Sequence, residues 1–245
     1  MMLAVISAIG LNMNYRMNRN RRTMKQIDPT SKINVEALKQ VLLHGRITKA
    51  RFDCPLTYEQ TVDALQAAVR AEVEYRHLPF KDSHMLGEYI EQAARWLKEQ
   101  KKFGLLLCGM PGNGKTTLMK AICSLIGWLE TENDYNERRY VRQIDSREIA
   151  RLAKDAYDSF VKVRNFDMLA IDDLGLEPAE VLDYGNILNP VVDLISYRYN
   201  EQLFTIVTTN LKPEQIREKY GDRIADRFNE MMSKIIFKND SYRGK

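Results

Sequence analysis

A glycine-rich loop between a strand pattern and a helix pattern constrains the fold of this chain more than any other feature. Residues 109–116 read G-M-P-G-N-G-K-T and fill every position of the phosphate-binding pattern G-x-x-x-x-G-K-[ST]. Residues 103–108 predict a buried strand before the loop, and residues 117–129 predict a helix after it. This order is typical of an α/β protein. The alternative is a glycine-rich turn that matches the pattern by chance.

The residue types in the loop explain how it would bind a nucleotide. Glycines let the chain turn back with its amides directed inward, and the helix N-terminus then faces the phosphates. Lys115 would reach the β and γ phosphates, and the Thr116 hydroxyl would hold Mg²⁺. The candidate nucleotide-binding residues here are Gly109, Pro111, Gly112, Asn113, Gly114, Lys115 and Thr116.

Composition is typical of a soluble globular protein. Apolar residues make up 44% and charged residues 29% of the 245 residues, which fits one well-buried domain and a smaller second one. The three cysteines, Cys54, Cys108 and Cys123, are widely spaced and form no C-x-x-C pair. This spacing indicates neither a disulfide framework nor a zinc site. We therefore expect a cytoplasmic location.

Positive charge is concentrated at the start of the chain. Residues 1–25 hold basic side chains and no acidic ones, so the rest of the chain is nearly neutral and would need a local patch to bind nucleic acid tightly. Residues 1–11 are apolar but too short for a membrane span, and their flanking charges do not fit a signal peptide. We expect residues 1–23 to be a disordered basic head. The alternative is an arm that contacts DNA phosphates.

Two helical patterns define an expected N-terminal region, residues 24–80. The first carries a short apolar stripe and ends near Gly45. The second begins with a capping-box pattern at Thr57 and Gln60 and is stopped by Pro79. Such stripes are buried either in the core of the same chain or against a partner protein. We place the domain boundary near residue 80, with the nucleotide-binding domain over residues 81–245.

Strand and helix patterns alternate after this boundary. A helix over residues 85–99 leads into the loop strand, and a strand over residues 140–144 precedes one continuous helix over residues 146–160. Asp145 and Glu148 stand where a capping box would place them. The alternation predicts a parallel sheet covered by helices on both faces.

The helix from residue 146 also carries a basic stripe opposite its apolar face. Its members, Arg147, Arg151 and Lys154, are three and four residues apart. Such a stripe can track the phosphates of single-stranded DNA, or it can simply be a solvated face.

Two adjacent carboxylates follow an apolar strand pattern over residues 168–171. Asp172 is the expected metal-side residue, and Asp173 is the expected base that orients and deprotonates the water attacking the γ phosphate. The alternative is an acidic strand end before a turn at Gly175. If the loop binds a nucleotide, this pair is the second part of the same site.

Polar and basic residues later in the chain supply candidates for a third part. Asn210 follows a strand pattern over residues 203–208, at the edge where parallel sheets bind ligands, although asparagine there is commonly a turn residue. Arg223 and Arg227 share one helical face, and Arg243 stands near the end of the chain. Guanidinium groups suit the charge that develops on a γ phosphate, although each arginine singly could be a solvated surface group.

Six segments of this sequence together resemble one known group of proteins. They are residues 109–117, I-D-D-L-G-L-E at 171–177, Y-R-Y at 197–199, T-T-N at 208–210, Y-G-D-R-I-A-D-R at 220–227 and S-Y-R at 241–243. In combination they are similar to the DnaC/IstB group of AAA+ ATPases, over about residues 95–245. The resemblance implies an α/β P-loop AAA+ (ASCE) fold with a five-stranded parallel sheet, helices on both faces and no C-terminal helical lid.

The resemblance also implies roles for single residues. Asn210 matches the sensor-1 polar residue, Arg227 matches the arginine finger that enters a neighbouring subunit's site, and Arg223 is the fallback finger. Arg243 matches the sensor-2 arginine, and Thr117 extends the nucleotide-binding set. Many AAA+ proteins have Asp-Glu where this chain has Asp172 followed by a second aspartate, so hydrolysis is expected to be slow without a partner.

The function that the resemblance implies is an ATP-hydrolysing helicase loader in DNA replication. Such a protein uses ATP and Mg²⁺, oligomerises on single-stranded DNA with its arginine finger in trans, and binds a replicative helicase through its N-terminal region. The close alternative is an IstB-like transposition helper that meets a transposase. Two further alternatives are a small-molecule P-loop kinase and a scaffold that binds ATP without hydrolysing it. GTP is disfavoured because no N-K-x-D sequence occurs.

Overall fold

The computed structural model describes residues 34–44, 51–99, 101–133, 136–183 and 186–242. The chain divides into two units, residues 1–47 and 48–245. Helix α1 Val35–His44 is the described part of the first unit. Asn34 begins it, because its side-chain oxygen accepts a hydrogen bond from the Ala37 amide at 3.0 Å. The expected head, residues 1–23, lies outside the described residues.

The second unit is built around a parallel sheet of five strands. In spatial order they are β2 Arg142–Asp145, β3 Met168–Leu174, β6 Phe204–Thr209, β1 Gly104–Gly109 and β7 Met232–Phe237. An antiparallel pair, β4 Val181–Asp183 with β5 Asn186–Leu188, lies outside this sheet. The carboxyl ends of β1, β3 and β6 therefore meet at one edge. The predicted parallel sheet is confirmed.

Helices cover both faces of the sheet, as predicted. Alternate side chains of β1 enter different cores: Leu105 and Leu107 pack on one face, and Leu106 packs on the other. Full burial of each such side chain contributes about 1.5–3 kcal/mol to folding. One face is covered by α2 Tyr58–Glu74, α3 His84–Glu99 and α4 Lys115–Trp128, and the other by α5 Ser146–Asp155, α6 Tyr157–Arg164, α7 Pro190–Asn200, α8 Pro213–Tyr220 and α9 Asp222–Met231.

Helix α2 belongs to the same core as the sheet. Its capping box is present, with Thr57 Oγ1 accepting from the Gln60 amide at 3.2 Å and Gln60 Oε1 accepting from the Thr57 amide at 2.9 Å. Leu65 on its buried face packs in the core that also contains side chains of α3 and α4. The second unit therefore starts before the boundary expected near residue 80. Pro79 does not stop the helix, which ends earlier in a turn where His77 has φ 56°.

The continuous helix expected over residues 146–160 is two helices, α5 and α6. The backbone leaves the helical region at Ala156, with φ −152° and ψ 63°, and this bend lets both helices bury apolar side chains in one core. The capping box expected at the start of α5 is also wrong. Asp145 accepts a hydrogen bond from the Arg147 amide, but Glu148 pairs with a neighbouring arginine instead of capping the helix.

No helix in the described part of the chain is long and apolar enough to cross a membrane.

Candidate functional site

The phosphate loop, defined as residues 109–116, has a backbone that only glycine allows at its first position. Gly109 has φ 151°, and a Cβ there would lie 2.5 Å from the Phe237 carbonyl oxygen and 2.6 Å from Asn113 Nδ2. Gly114, with φ 100°, precedes α4 and offers no side chain to cap it. The N-terminus of α4 therefore has the dipole and backbone that anion-binding loops use.

Lys115 is held inside the phosphate loop. Its side chain is buried, and Nζ donates to the Gly109 carbonyl at 2.9 Å, the Met110 carbonyl at 2.8 Å and Asn113 Oδ1 at 3.1 Å. These three acceptors fix the position of the ammonium group inside the loop. The loop thus presents a fixed positive charge where phosphates are expected. Pro111 is exposed in the loop, and Thr117 is half-buried in the first turn of α4.

Two hydroxyl groups converge on one carboxylate oxygen at the sheet edge. Thr116 Oγ1 donates to Asp172 Oδ1 at 2.9 Å, and Thr208 Oγ1 donates to the same atom at 2.6 Å. The Asp173 amide donates to Thr208 Oγ1 at 2.9 Å. The structure therefore brings together Thr116 and Asp172, the two residues expected to hold the metal ion.

Thr208 belongs to this cluster, although the sequence pattern included it only within the T-T-N segment at residues 208–210. Its neighbour Asn210 received the functional role instead, from the resemblance. The signal that could have identified Thr208 is its position at the carboxyl end of the strand that pairs with both β1 and β3. Asn210 itself comes directly after β6 and is exposed at this edge.

Asp173 stands beside this cluster in an unusual backbone conformation. It has φ 53°, and the register of β3 against β6 shifts between Ile171 and Leu174, so the two carboxylates occupy an irregularity in the strand. Burial raises the pKa of Asp173, and the negative charges of Asp172 and Asp145 raise it further against smaller opposing effects of nearby cations. A raised pKa suits a carboxylate that accepts a proton.

The last described residues return to the phosphate loop. The Tyr242 amide donates to the Gly112 carbonyl at 2.9 Å, and its ring lies 3.3 Å from the position a Cβ of Gly114 would take. Asn239 Nδ2 donates to the Asn113 carbonyl at 3.2 Å. Arg243, the expected sensor-2 residue, follows immediately but lies outside the described residues.

A family comparison decides what kind of site this is. A model of the ATPase family associated with various cellular activities (AAA) matches residues 105–232, more than half of the chain. This chain belongs to the AAA family. The matched segment contains the phosphate loop, both carboxylates and helices α8 and α9. Membership in AAA implies nucleotide binding, typically with Mg²⁺.

Solved structures share the fold of this AAA chain. A DnaC helicase loader is 21% identical, with 65% of this chain and 94% of that one covered at a TM-score of 0.51. DnaI is 22% identical, with 73% and 93% covered at 0.52. A putative primosome component from Streptococcus pyogenes serotype M3 is 18% identical, with 73% and 99% covered at 0.50. At the level of fold, these structures confirm the resemblance to DnaC. No curated protein sequence matches the chain.

The two candidate finger arginines of this AAA domain have different surroundings. Arg227 is 8% exposed, its guanidinium carbon lies 5.1 Å from the centre of the Tyr199 ring, and its Nη1 has no hydrogen-bond partner among the described residues. Arg223, one turn earlier on α9, is exposed. To reach another subunit, Arg227 would first have to leave its own core.

The arginine of the Y-R-Y segment is part of the core. Arg198 is fully buried and donates to the carbonyl groups of Phe166 and Phe204, both at 2.6 Å, and to Thr205 Oγ1 at 2.8 Å. Burial lowers the pKa of Arg198 to about 9. Its contacts join α7 to the strands beside it, so this part of the DnaC/IstB-like pattern supports the fold.

The basic stripe on α5 is largely neutralised within the chain. Arg147 makes two bonds to the Asp145 carboxylate, at 2.9 and 2.8 Å, and Arg151 makes two to Glu148, both at 2.6 Å. Lys154 is exposed. These pairs favour the solvated-face alternative over a phosphate-tracking stripe.

Proposed function

We propose that this AAA chain is an ATP-hydrolysing helicase loader of the DnaC type that acts in DNA replication. It oligomerises on single-stranded DNA in the cytoplasm and binds a replicative helicase. The observation that carries this proposal is the convergence of Thr116, Asp172 and Asp173 at the edge where the phosphate loop ends. The fold shared with DnaC and DnaI supports the loader over the transposition helper.

The described residues fit ATP with Mg²⁺. Thr116 Oγ1 and Asp172 Oδ1 are adjacent oxygen atoms, and Mg²⁺ is commonly held in nucleotide sites by one or two protein oxygens together with phosphate oxygens. The buried ammonium of Lys115 and the N-terminus of α4 face the same region. Bound Mg²⁺ supplies neutralisation of negative charge on the phosphates. The candidate nucleotide contacts thus remain Gly109, residues 111–117 and Arg243.

Different groups of the protein have different roles in hydrolysis. Lys115 and the amides of the phosphate loop bind and orient the phosphates. Asp173 accepts the proton of the attacking water, and its raised pKa favours this role. Asn210 orients the same water from the end of β6. The short aspartate in place of a glutamate is expected to keep turnover slow until a partner binds.

An arginine from the next subunit completes the site. Because Arg227 is buried over Tyr199 and Arg223 is exposed, we assign the finger to Arg223 first and to Arg227 only if α9 rearranges. An isolated subunit then lacks one catalytic group. Turnover per subunit should rise steeply with protein concentration or on addition of single-stranded DNA.

Residues 24–80 are proposed to contact the helicase, and α1 is the segment best suited to do so. Its apolar side chains Val35, Val41 and Leu42 are exposed, whereas the apolar stripe of α2 is committed to the core. The role of residues 1–23 stays a prediction.

Co-purification with a hexameric replicative helicase tests the loader directly. We expect the full chain to bind the helicase, and a Val41→Asp variant to lose binding while retaining basal ATP turnover. Binding to a transposase but not to the helicase would favour the transposition helper. Phosphate transfer that requires an added small-molecule acceptor would favour a kinase.

A further inference from the structure

Glu177 is a buried carboxylate that the proposed hydrolysis does not use. It lies in the loop after β3 and is 3% exposed. Its Oε2 accepts a hydrogen bond from the Gly175 amide at 2.9 Å, and its Oε1 accepts one from the Tyr220 hydroxyl. Lys219 Nζ lies 3.4 Å from the same Oε1. A buried carboxylate with three such partners fixes its surroundings strongly.

Lys219 fastens the same loop through its backbone. Its Nζ donates to the carbonyl groups of Gly175 and Glu177, both at 2.6 Å. Burial and the adjacent carboxylate raise the pKa of Tyr220, so its phenol remains a donor to Glu177. The last turn of α8 therefore holds the loop after β3 through the Glu177 carboxylate and through two backbone carbonyl groups. We call Glu177, Lys219 and Tyr220 the clamp.

The loop held by the clamp also contacts the proposed base, Asp173. The Leu176 amide donates to the Asp173 carbonyl at 3.2 Å, and Ser146 Oγ donates to the same carbonyl at 2.8 Å. Gly175 has φ 111° and lies against the Leu211 side chain, so the loop has little room to move. Any shift of this loop changes the backbone that holds Asp173 at φ 53°.

The helix that carries Lys219 and Tyr220 is followed directly by the helix that carries the proposed finger, Arg223. Gly221 follows Tyr220 with φ 84°, and α9 begins at Asp222, directly before exposed Arg223. Arg217 on α8 pairs with Asp222, which ties the start of α9 to α8. Only Gly221 and Asp222 separate the last turn of α8 from Arg223.

We infer that Glu177 and Tyr220 are positioning residues that couple the base of one site to the finger of the next. Asp173 serves the subunit's own nucleotide, whereas Arg223 serves a neighbour, and the clamp joins the two within one subunit. The inference rests on the proposed trans finger. It adds that Glu177 and Tyr220 fix the placement of the arginine offered to the adjacent subunit.

Mixing two defective full-length subunits separates these functions. A subunit with Asp173→Asn has no base but can donate its finger, and a subunit with Arg223→Ala has an intact site but no finger. The two together should recover ATP turnover. Tyr220→Phe is then added to the Asp173→Asn subunit alone, so that every competent site retains unaltered residues. We expect recovered turnover to fall about tenfold, with an unchanged KM for ATP, because the finger is misplaced.

Matched variants distinguish coupling from lost stability. Tyr157→Phe removes a hydroxyl from a tyrosine that is 53% exposed, and it should change neither recovered turnover nor the melting temperature. Glu177→Gln retains an acceptor for the Gly175 amide and should reproduce the loss from the finger-donating subunit less severely than Glu177→Ala. Glu177→Gln also serves as the test if Tyr220→Phe does not fold.

The outcomes are separable. Recovery that is unaffected by Tyr220→Phe and by Glu177→Gln in the donor overturns the coupling and leaves the trans finger intact. Absence of recovery in the unmodified mixture, or full turnover of Arg223→Ala alone, overturns the assigned finger and the coupling with it. A lower melting temperature with unaltered recovery shows that the clamp only stabilises the fold.

Discussion

The Lys115 side chain of the phosphate loop and the α8–α9 corner, defined as residues 217–227, are held by contacts from different distances along the chain. Lys115 is held by acceptors of the loop itself, no more than six residues away. The corner is held by Glu177, which is 43 residues from Tyr220. The Lys115 ammonium is therefore fixed within the loop, although the loop also contacts residues 237–242. The corner takes its position from the loop that follows the carboxylates of β3. This difference is consistent with a phosphate loop that binds nucleotide and a corner whose position depends on the loop after β3.

The largest effect should come from the corner. Arg223→Ala should lower the stimulated ATP turnover about 10³-fold, because an arginine finger stabilises charge on the transferred phosphoryl group. Nucleotide affinity of the dilute subunit, measured by fluorescence titration, should not change. Arg95→Ala, an exposed change on α3, is the control. A loss of nucleotide affinity equal to the loss of turnover would place Arg223 in its own subunit's site. The corner and the phosphate loop would then serve the same site.

Lys115→Ala should act on the loop alone. We expect turnover to fall roughly 10²- to 10³-fold, together with nucleotide affinity, because a fixed charge on the phosphates is lost. Lys120→Ala on the same helix is the matched control, since it also removes an ammonium group from α4. Isothermal titration and phosphate release measure the two quantities. Retained affinity would show that the loop is not the main phosphate site.

Asp173→Asn should separate binding from hydrolysis. Turnover should fall about 10²-fold with ATP affinity preserved, because only the proton acceptor is removed. Equal turnover in the variant and the parent chain would reject Asp173 as the base. The expected result would assign hydrolysis to the end of β3 and nucleotide binding to the phosphate loop.

The sequence patterns succeed where structure is local and fail where contacts are distant. The phosphate loop and the carboxylates of β3 are recognisable because strand, turn and helix preferences act over a few residues. Ala156 gives no sign of the break between α5 and α6, since alanine favours helices and only packing requires the bend. Strand β7 was not located in advance. Its segment mixes polar and apolar residues at the edge of the sheet.

The same limit applies to side-chain roles. Spacing places Arg223 and Arg227 on one face of α9, but only the folded chain shows one exposed and the other buried over Tyr199. The motif around Asp172 includes Glu177, but no pattern links that carboxylate to a tyrosine on another helix. Roles that depend on long-range burial could not be derived from residue type and spacing.

The pH dependence of turnover should follow the protonation of Asp173 at the end of β3. Asp173 works only as a carboxylate, so activity is present above its pKa and is lost as the pH falls through it. Because that pKa is raised, the loss of activity should begin at a higher pH than the value of about 3.9 for an unperturbed aspartate would give. The residual turnover of Asp173→Asn should lack this acidic limb. An identical limb in both proteins would assign it to another group.

The smallest effect on turnover should come from a change outside both the phosphate loop and the α8–α9 corner. Thr57→Ala removes the capping box of α2 and should lower the free energy of unfolding by about 1 kcal/mol. Stimulated turnover at moderate temperature should stay the same, because α2 supports the core beneath the loop without contacting nucleotide. Chemical denaturation checks the first expectation. A large loss of turnover in the folded variant would show that α2 takes part in assembly.

The central claim is that each active site is shared between two subunits. Its most direct test is phosphate release from a one-to-one mixture of Asp173→Asn and Arg223→Ala proteins, compared with each variant alone at the same total concentration. We predict that each variant alone is nearly inactive and that the mixture recovers a substantial part of the parent turnover. A mixture no more active than the mean of the two separate variants would contradict the claim.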